Sequence, residues 1–374
     1  MPEIMKSFNV SKTEAGMIFS SYLFVYTIFS PVTGFITDKI GPRRVLTLYS
    51  IPLGIGTLLL GTANSLWSAS LFAAIIGFGA TSSWVPVILS VQSWFGIKRR
   101  GFVLGALQTG INLGIGFFGI LLPMLALLYG WRTSWYVLGS LGLILVVVNG
   151  LLLMDAVTRR SIKADEQKTA NIGTKNAGTQ SQLLRKVFVT RQFWLIGFSY
   201  LFIALAILVP MTFITVYATL ELKIEYTIAT AFYTVMAFSG ILGALLLTAF
   251  SDRFGRRNAI MICCSLAVAG LLALIAAGSN QALITFSTII IGFSYGSIWP
   301  LYAACAFDYF SPEIIGGVVG LWTVCSGTGM TVSPVIAGYV ADVTGTFTFS
   351  FFLAIIAAIA ALILISLAKK TSMR

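Results

Sequence analysis

Residues 34–44 read Gly-Phe-Ile-Thr-Asp-Lys-Ile-Gly-Pro-Arg-Arg, and residues 248–257 read Thr-Ala-Phe-Ser-Asp-Arg-Phe-Gly-Arg-Arg. Each ends an apolar run with an aspartate, then a glycine three residues on, then an arginine pair. Asp38 and Asp252 are 214 residues apart. Further matches keep almost the same spacing. Ile75-Ile76-Gly77-Phe78 pairs with Ile290-Ile291-Gly292-Phe293 at 215, as do Trp84 with Trp299, Trp94-Phe95 with Tyr309-Phe310, and Gly101-x-x-x-Gly105 with Gly316-x-x-x-Gly320. A single-residue shift over more than sixty positions points to a duplicated unit. Duplicated helical halves are the architecture of secondary transporters, with the site between them near the bilayer midplane.

Composition sets the surroundings of that repeat. Of the 374 residues 57% are apolar and 10% charged, with a mean hydropathy of +0.94. A soluble domain carries about 25% charged residues, so the chain reads as an integral membrane protein. A span needs roughly 20 mostly apolar residues. Eleven segments qualify: 14–36, 44–62, 66–92, 102–128, 133–154, 192–219, 227–250, 258–278, 281–307, 315–341 and 346–368. The runs are continuous rather than alternating, which excludes a β-barrel. The fold class is an all-α polytopic membrane protein of two pseudo-symmetric bundles. Five helices (1–154) and six (191–374) flank a polar cytoplasmic linker at 155–190.

The net charge of +12 could suggest nucleic acid, but its placement does not. With the end of the first span placed inside the cell, twenty Lys and Arg fall on the cytoplasmic side. Only Lys6, Lys12, Arg132 and Lys223 fall outside. That is the positive-inside rule, and it predicts an outside N-terminus and a cytoplasmic C-terminus. Short external loops suit a prokaryotic inner membrane. No nucleic-acid partner, cofactor or metal site is expected. The chain has no histidine, and its four cysteines (Cys263, Cys264, Cys305 and Cys325) lie in apolar segments without ligand spacing. Ser11-Lys12-Thr13-Glu14 reads as a capping box opening the first span.

The duplicated stretch resembles the signature loop of the major facilitator superfamily. Its residues here are Gly34, Asp38, Gly41, Arg43 and Arg44, echoed by Asp252, Arg253, Gly255, Arg256 and Arg257, with Thr248 where a glycine would stand. A narrower resemblance rests on Trp94-Phe95, Lys98-Arg99-Arg100, Gly105 and Gly110, similar to the fifth-helix entry of monocarboxylate porters and oxalate/formate antiporters. The resemblance implies alternating access and twelve helices. Segment 192–219 has no partner in the first half, so a first family helix is expected upstream of Met1, in ~25–35 further residues. It also implies that Asp38 and Asp252 latch the cytoplasmic face by accepting from opposing helix starts near Gly316 and Gly101. Asp308 is placed to pair with Arg256 or Arg257.

Polar residues at mid-membrane depth are the cavity candidates. Those expected to matter most are Trp84, Gln108, Asn112, Tyr295, Trp299 and Trp322, with Tyr22, Tyr26, Ser83, Tyr200, Tyr233, Tyr302 and Thr323 beside them. Gln108 and Asn112 are four apart, hence on one helix face. Their amides can hold a carboxylate or hydroxyl without a fixed charge. No Lys, Arg, Asp or Glu lies near the centre of any span. An anion in low dielectric is costly unpaired, so either the upstream helix supplies a cation or the solute is neutral or amphipathic.

The expected function is a transporter, not an enzyme, moving a small organic solute such as a monocarboxylate. Its partners are that solute and the lipid bilayer; a coupling proton or counter-anion stays open, and a monomer is favoured. The alternatives are a truncated inactive transporter, or a non-transporting receptor or sensor on the same scaffold.

Overall fold

The computed structural model describes residues 2–84, 86–87, 100–152, 187–310 and 315–368. A short helix α1 (Pro2–Phe8) precedes α2 (Lys12–Ile40), α3 (Pro42–Thr62), α4 (Leu66–Ala80), α5 (Arg100–Tyr129) and α6 (Trp131–Leu152). The second half holds α7 (Arg191–Val216), α8 (Tyr226–Phe254), α9 (Arg256–Ala277), α10 (Gln281–Tyr309), α11 (Ile315–Thr344) and α12 (Thr348–Leu367). Eleven of these helices are long and apolar enough to cross a membrane, the number read from the sequence. The segment 66–92 is not one straight helix, since α4 tightens into a 3-10 turn at Thr81–Ser83. Trp94, Phe95, Lys98, Arg99 and nearly all of the expected linker lie outside the described residues.

Local chemistry explains the helix ends. Ser11 and Glu14 form the expected capping box, Ser11 Oγ accepting from Glu14 N while the Glu14 carboxylate accepts from Ser11 N at 2.7 Å. The two repeated turns are built alike. Gly41 at φ +85° ends α2 and starts α3, and Gly255 at φ +91° does the same between α8 and α9. Only glycine adopts that backbone without strain, which is why both stretches need it.

Packing repeats the sequence duplication. In the first half α3 packs on α6 and α4, and α2 on α4; in the second α9 packs on α12 and α10, and α8 on α10. One close approach of helix to helix recurs at the sequence offset. A Cβ on Gly77 would stand 2.2 Å from the Tyr22 carbonyl oxygen, and one on Gly292 would stand 2.1 Å from that of Met236. Between the halves the exchange is reciprocal, α2 packing on α11 and α5 on α8. Such small-residue contacts let helices touch where lipid supplies no hydrophobic drive.

The halves differ in one respect. Helix α7 packs on both α11 and α12, whose spans are each 44% buried. Among the described residues no span takes that place in the first half, and α5 and α6 are each 11% buried.

Candidate functional site

The bundle has two distinct faces. The basic face carries the turns at Gly41 and Gly255 with their arginines; the far face carries the start of α2 and the end of α11. Between the halves lies a cavity of about 330 Å³. Its wall includes Tyr22 and Tyr26 from α2, Ser83 and Trp84 after α4, and Gln108 from α5. The second half adds Tyr200 from α7, Tyr295 and Trp299 from α10, and Thr323 and Ser326 from α11. Among the described residues lining it, none is charged.

Aromatic stacking organises that wall. Phe19, Tyr22 and Tyr26 stack along one face of α2, with ring centroids 5.9 and 6.2 Å apart. Across the gap Tyr200 lies 5.7 Å from Trp299, which meets Tyr295 edge-on at 6.4 Å. Phenol and indole groups give an apolar surface with polar tips, suited to a solute that is part ring or chain and part oxygen.

Of the six leading sequence candidates, Trp84, Gln108, Tyr295 and Trp299 line the cavity. Asn112 does not; it is fully buried behind Gln108. Trp322 belongs to the core of the second half, 1% exposed, donating its indole N–H to the Phe193 carbonyl at 3.0 Å. It borders only a side pocket of about 10 Å³ shared with Trp84, Trp299 and Tyr302. Tyr302 is also a core residue, stacked on Tyr200 at 4.3 Å and hydrogen-bonded to Ser199 at 2.6 Å.

The repeated turns act within each half. Arg43 donates to the Gly150 carbonyl at the end of α6. Arg257, 214 residues on, donates to the Ile365 and Ser366 carbonyls at the end of α12. In both halves an arginine at the start of the third helix grips the last turn of the sixth. Asp252 accepts from Arg256, one helical turn on, at 2.5 Å, and Arg256 also donates to Ser251. Asp308 is exposed and pairs with neither Arg256 nor Arg257, because both guanidinium groups are engaged elsewhere. Arg44 and Arg253 are exposed. Gly34 lies on α2 one turn before Asp38, whose side chain is outside the described residues.

The hydrogen bonds described between the halves sit on the other side of the cavity. Asp342, near the end of α11, accepts from the backbone N–H of Lys12 at 3.1 Å and of Thr13 at 2.8 Å. The Thr13 hydroxyl donates to it as well. These are first-turn N–H groups of α2, which lack acceptors within their own helix. Lys12 Nζ meets Glu221 at 3.2 Å and lies 4.6 Å from the Phe347 ring centre. Glu221 in turn accepts from Phe347 N and the Thr346 hydroxyl. Along the same seam a Cβ on Gly16 would come 2.4 Å from the Pro334 oxygen, and Ser20 Oγ donates to the Thr331 carbonyl at 2.6 Å. On the far face the two halves are clasped together. Sequence reasoning put an aspartate-to-helix-start latch on the basic face and did not single out Asp342, Glu221 or Lys12. The capping box at Ser11 was the one signal that marked this helix start.

The sequence profile of the Major Facilitator Superfamily matches residues 1–321 and 233–373. The chain belongs to the Major Facilitator Superfamily. Among its relatives is a protein of Cupriavidus necator named "Probable sulfoacetate transporter SauU". It is 24% identical over 371 residues, covering 94% of this chain and 84% of that one. The hexuronate transporter of Bacillus subtilis is 21% identical over 366 residues, covering 94% of this chain and 85% of its own. The membrane sensor protein UhpC of Escherichia coli is 23% identical over 267 residues, covering 69% and 60%. Among solved structures, a bacterial homologue of the human lysosomal transporter Spinster, in an inward-facing and occupied conformation, superposes with a TM-score of 0.71 at 16% identity. That match covers 98% of this chain and 90% of the other. The likeness shows the shared fold.

Proposed function

We propose that this chain carries a small organic solute, a monocarboxylate or a similar acid, across a prokaryotic inner membrane by alternating access. The observation that carries the reading is the central cavity: an uncharged, aromatic and hydroxyl-tipped space between two halves related by the duplication. The relatives named for sulfoacetate and hexuronate support an organic acid. With no charged group on the described wall, Gln108, the tyrosine hydroxyls and the two indole N–H groups are the available partners for its oxygens. The charge asymmetry of the loops supports a cytoplasmic position for the basic face. The cavity then faces the cytoplasm, beneath a clasped far side. Two pseudo-symmetric halves rocking about this space would expose it to the other side.

The test is flux. The full chain reconstituted in proteoliposomes should take up labelled sulfoacetate, a labelled hexuronate or labelled lactate above empty vesicles, with competition by unlabelled solute. Uptake no faster than in empty vesicles for all three would refute the organic-acid reading. The match to a membrane sensor supports a second reading, in which the same cavity binds without transport. Saturable quenching of Trp84 and Trp299 fluorescence without flux would select it.

A further inference from the structure

Asn112 has a buried hydrogen-bond donor that no described residue satisfies. It is 0% exposed and lies in the α5–α8 seam, where a Cβ on Gly240 would come 3.0 Å from its Nδ2. Its Oδ1 accepts a long bond, 3.4 Å, from Nε2 of Gln108, one helical turn earlier. Its Nδ2 has no partner among the described residues. Gln108 is itself 2% exposed and reaches the cavity wall. An unsatisfied buried donor bears its desolvation cost in full.

A carboxamide has nearly the same shape at both ends, so a half-turn of its terminal torsion exchanges oxygen for NH2. Turning both amides reverses the bond between them. Asn112 Nδ2 then donates to Gln108 Oε1, and the orphan is satisfied. Asn112 Oδ1 is left facing Gly240, whose Cα–H groups can approach as weak donors because no Cβ intervenes. Buried acceptors without a strong partner are better tolerated than donors. Both N–H groups of Gln108 are released from Asn112 to the cavity.

We propose that Gln108 is the donor that recognises a solute oxygen, and that Asn112 is the positioning residue deciding which end of the Gln108 amide meets it. The inference rests on the transport reading above. It adds a link to the moving parts, since Gly240 belongs to the second half and backs the pair only while α5 and α8 touch there. A solute oxygen bound to Gln108 and a closed seam behind Asn112 therefore favour each other.

The test is a double-mutant cycle with Gln108→Leu, Asn112→Leu and the double variant, in the reconstituted full chain with labelled sulfoacetate and a labelled hexuronate. Each single change should raise KM about tenfold, the factor for roughly one lost hydrogen bond, with kcat altered less. The second substitution should add nothing to the first, because Asn112 acts only through Gln108. Multiplying KM effects would overturn the pairing while leaving transport intact. Absence of wild-type flux for both solutes would instead strike the transport reading. The same cycle read on melting temperature in detergent needs no solute. Independent shifts there would overturn the pairing on their own.

Discussion

Removing Asp342 should unclasp the far face. Its carboxylate accepts from the Lys12 and Thr13 backbone N–H groups at 3.1 and 2.8 Å and from the Thr13 hydroxyl. A bond to a charged group is worth about 1.5–3 kcal/mol when buried, and favourable placement at a helix start adds about 0.3–1 kcal/mol. Asp342 is exposed, so solvent screens all of this, as it does surface ion pairs. About 2 kcal/mol is then a fair sum for Asp342→Ala, or about a 30-fold change in the closed-to-open ratio. Asp342→Asn keeps an acceptor and loses the charge, so about 1 kcal/mol and fivefold is expected. The readout is a cysteine placed in the seam. Ser20 is 7% exposed under the clasp, and Ser20→Cys keeps its size. Its rate of modification by a maleimide added from the far side follows the fraction of open molecules when opening is fast. The parent without Ser20→Cys gives the background of the native cysteines, of which Cys263, Cys264 and Cys305 are buried. A rise of about 30-fold for Asp342→Ala, and a smaller one for Asp342→Asn, is the expected order. Equal labelling rates in all three proteins, with unchanged melting temperature, would refute the clasp.

Three further pairs of substitutions test separate parts of the structure. Gly77→Ala and Gly292→Ala should each lower the melting temperature by several degrees. Their Cβ atoms would meet backbone carbonyls at 2.2 and 2.1 Å, and overpacking costs about 1–3 kcal/mol. Arg43→Lys and Arg257→Lys should each lose stability by a similar amount, about 1 kcal/mol, because a single ammonium does not reproduce the guanidinium's reach to a helix-end carbonyl; a loss in one half alone would break the symmetry argument. Trp322→Phe should reduce stability through the lost bond to Phe193 and leave KM unchanged, whereas Trp299→Phe should change KM.

The repeat at 34–44 and 248–257 made the architecture legible, because glycine turns and close helix approaches demand particular residues at particular places. Gly41 and Gly255 sit at positive φ, and Gly77 and Gly292 touch backbone, just where the offset paired them. The cavity was legible in part. Polar and aromatic residues in apolar spans must satisfy their polar atoms somewhere, but sequence does not say whether in the gap or within a half. Trp299 took the first course, and Trp322 the second, through a carbonyl on α7. The clasp was not legible. Lys12 and Asp342 are 330 positions apart, and each reads alone as an ordinary surface charge. The partners of the arginines were hidden for a related reason: the backbone carbonyls that accept from Arg43 and Arg257 lie on α6 and α12, more than 100 positions along the chain, and a backbone carbonyl leaves no mark in the sequence.

The duplication also says where the clasp has no twin. At the same offsets Lys12 and Thr13 correspond to Tyr226 and Thr227 at the start of α8, and Asp342 corresponds to Leu127 on α5, which is 60% exposed. The α2–α11 seam therefore carries charged contacts, whereas the contacts described in the α5–α8 seam are uncharged, Gly116 meeting Phe238, Gly119 meeting Thr234 and Gly240 meeting Asn112. Salt distinguishes the two. Raising ionic strength from about 0.1 M to about 1 M shortens the Debye length from ~10 Å to ~3 Å. That weakens the Lys12–Glu221 and Asp342 contacts and leaves van der Waals packing untouched. Maleimide labelling of Ser20→Cys should accelerate severalfold over that range, while labelling of Thr234→Cys in the other seam should change by less than about twofold. If both seams respond alike, the halves open as one rigid gap, and the clasp does not set the order in which they part.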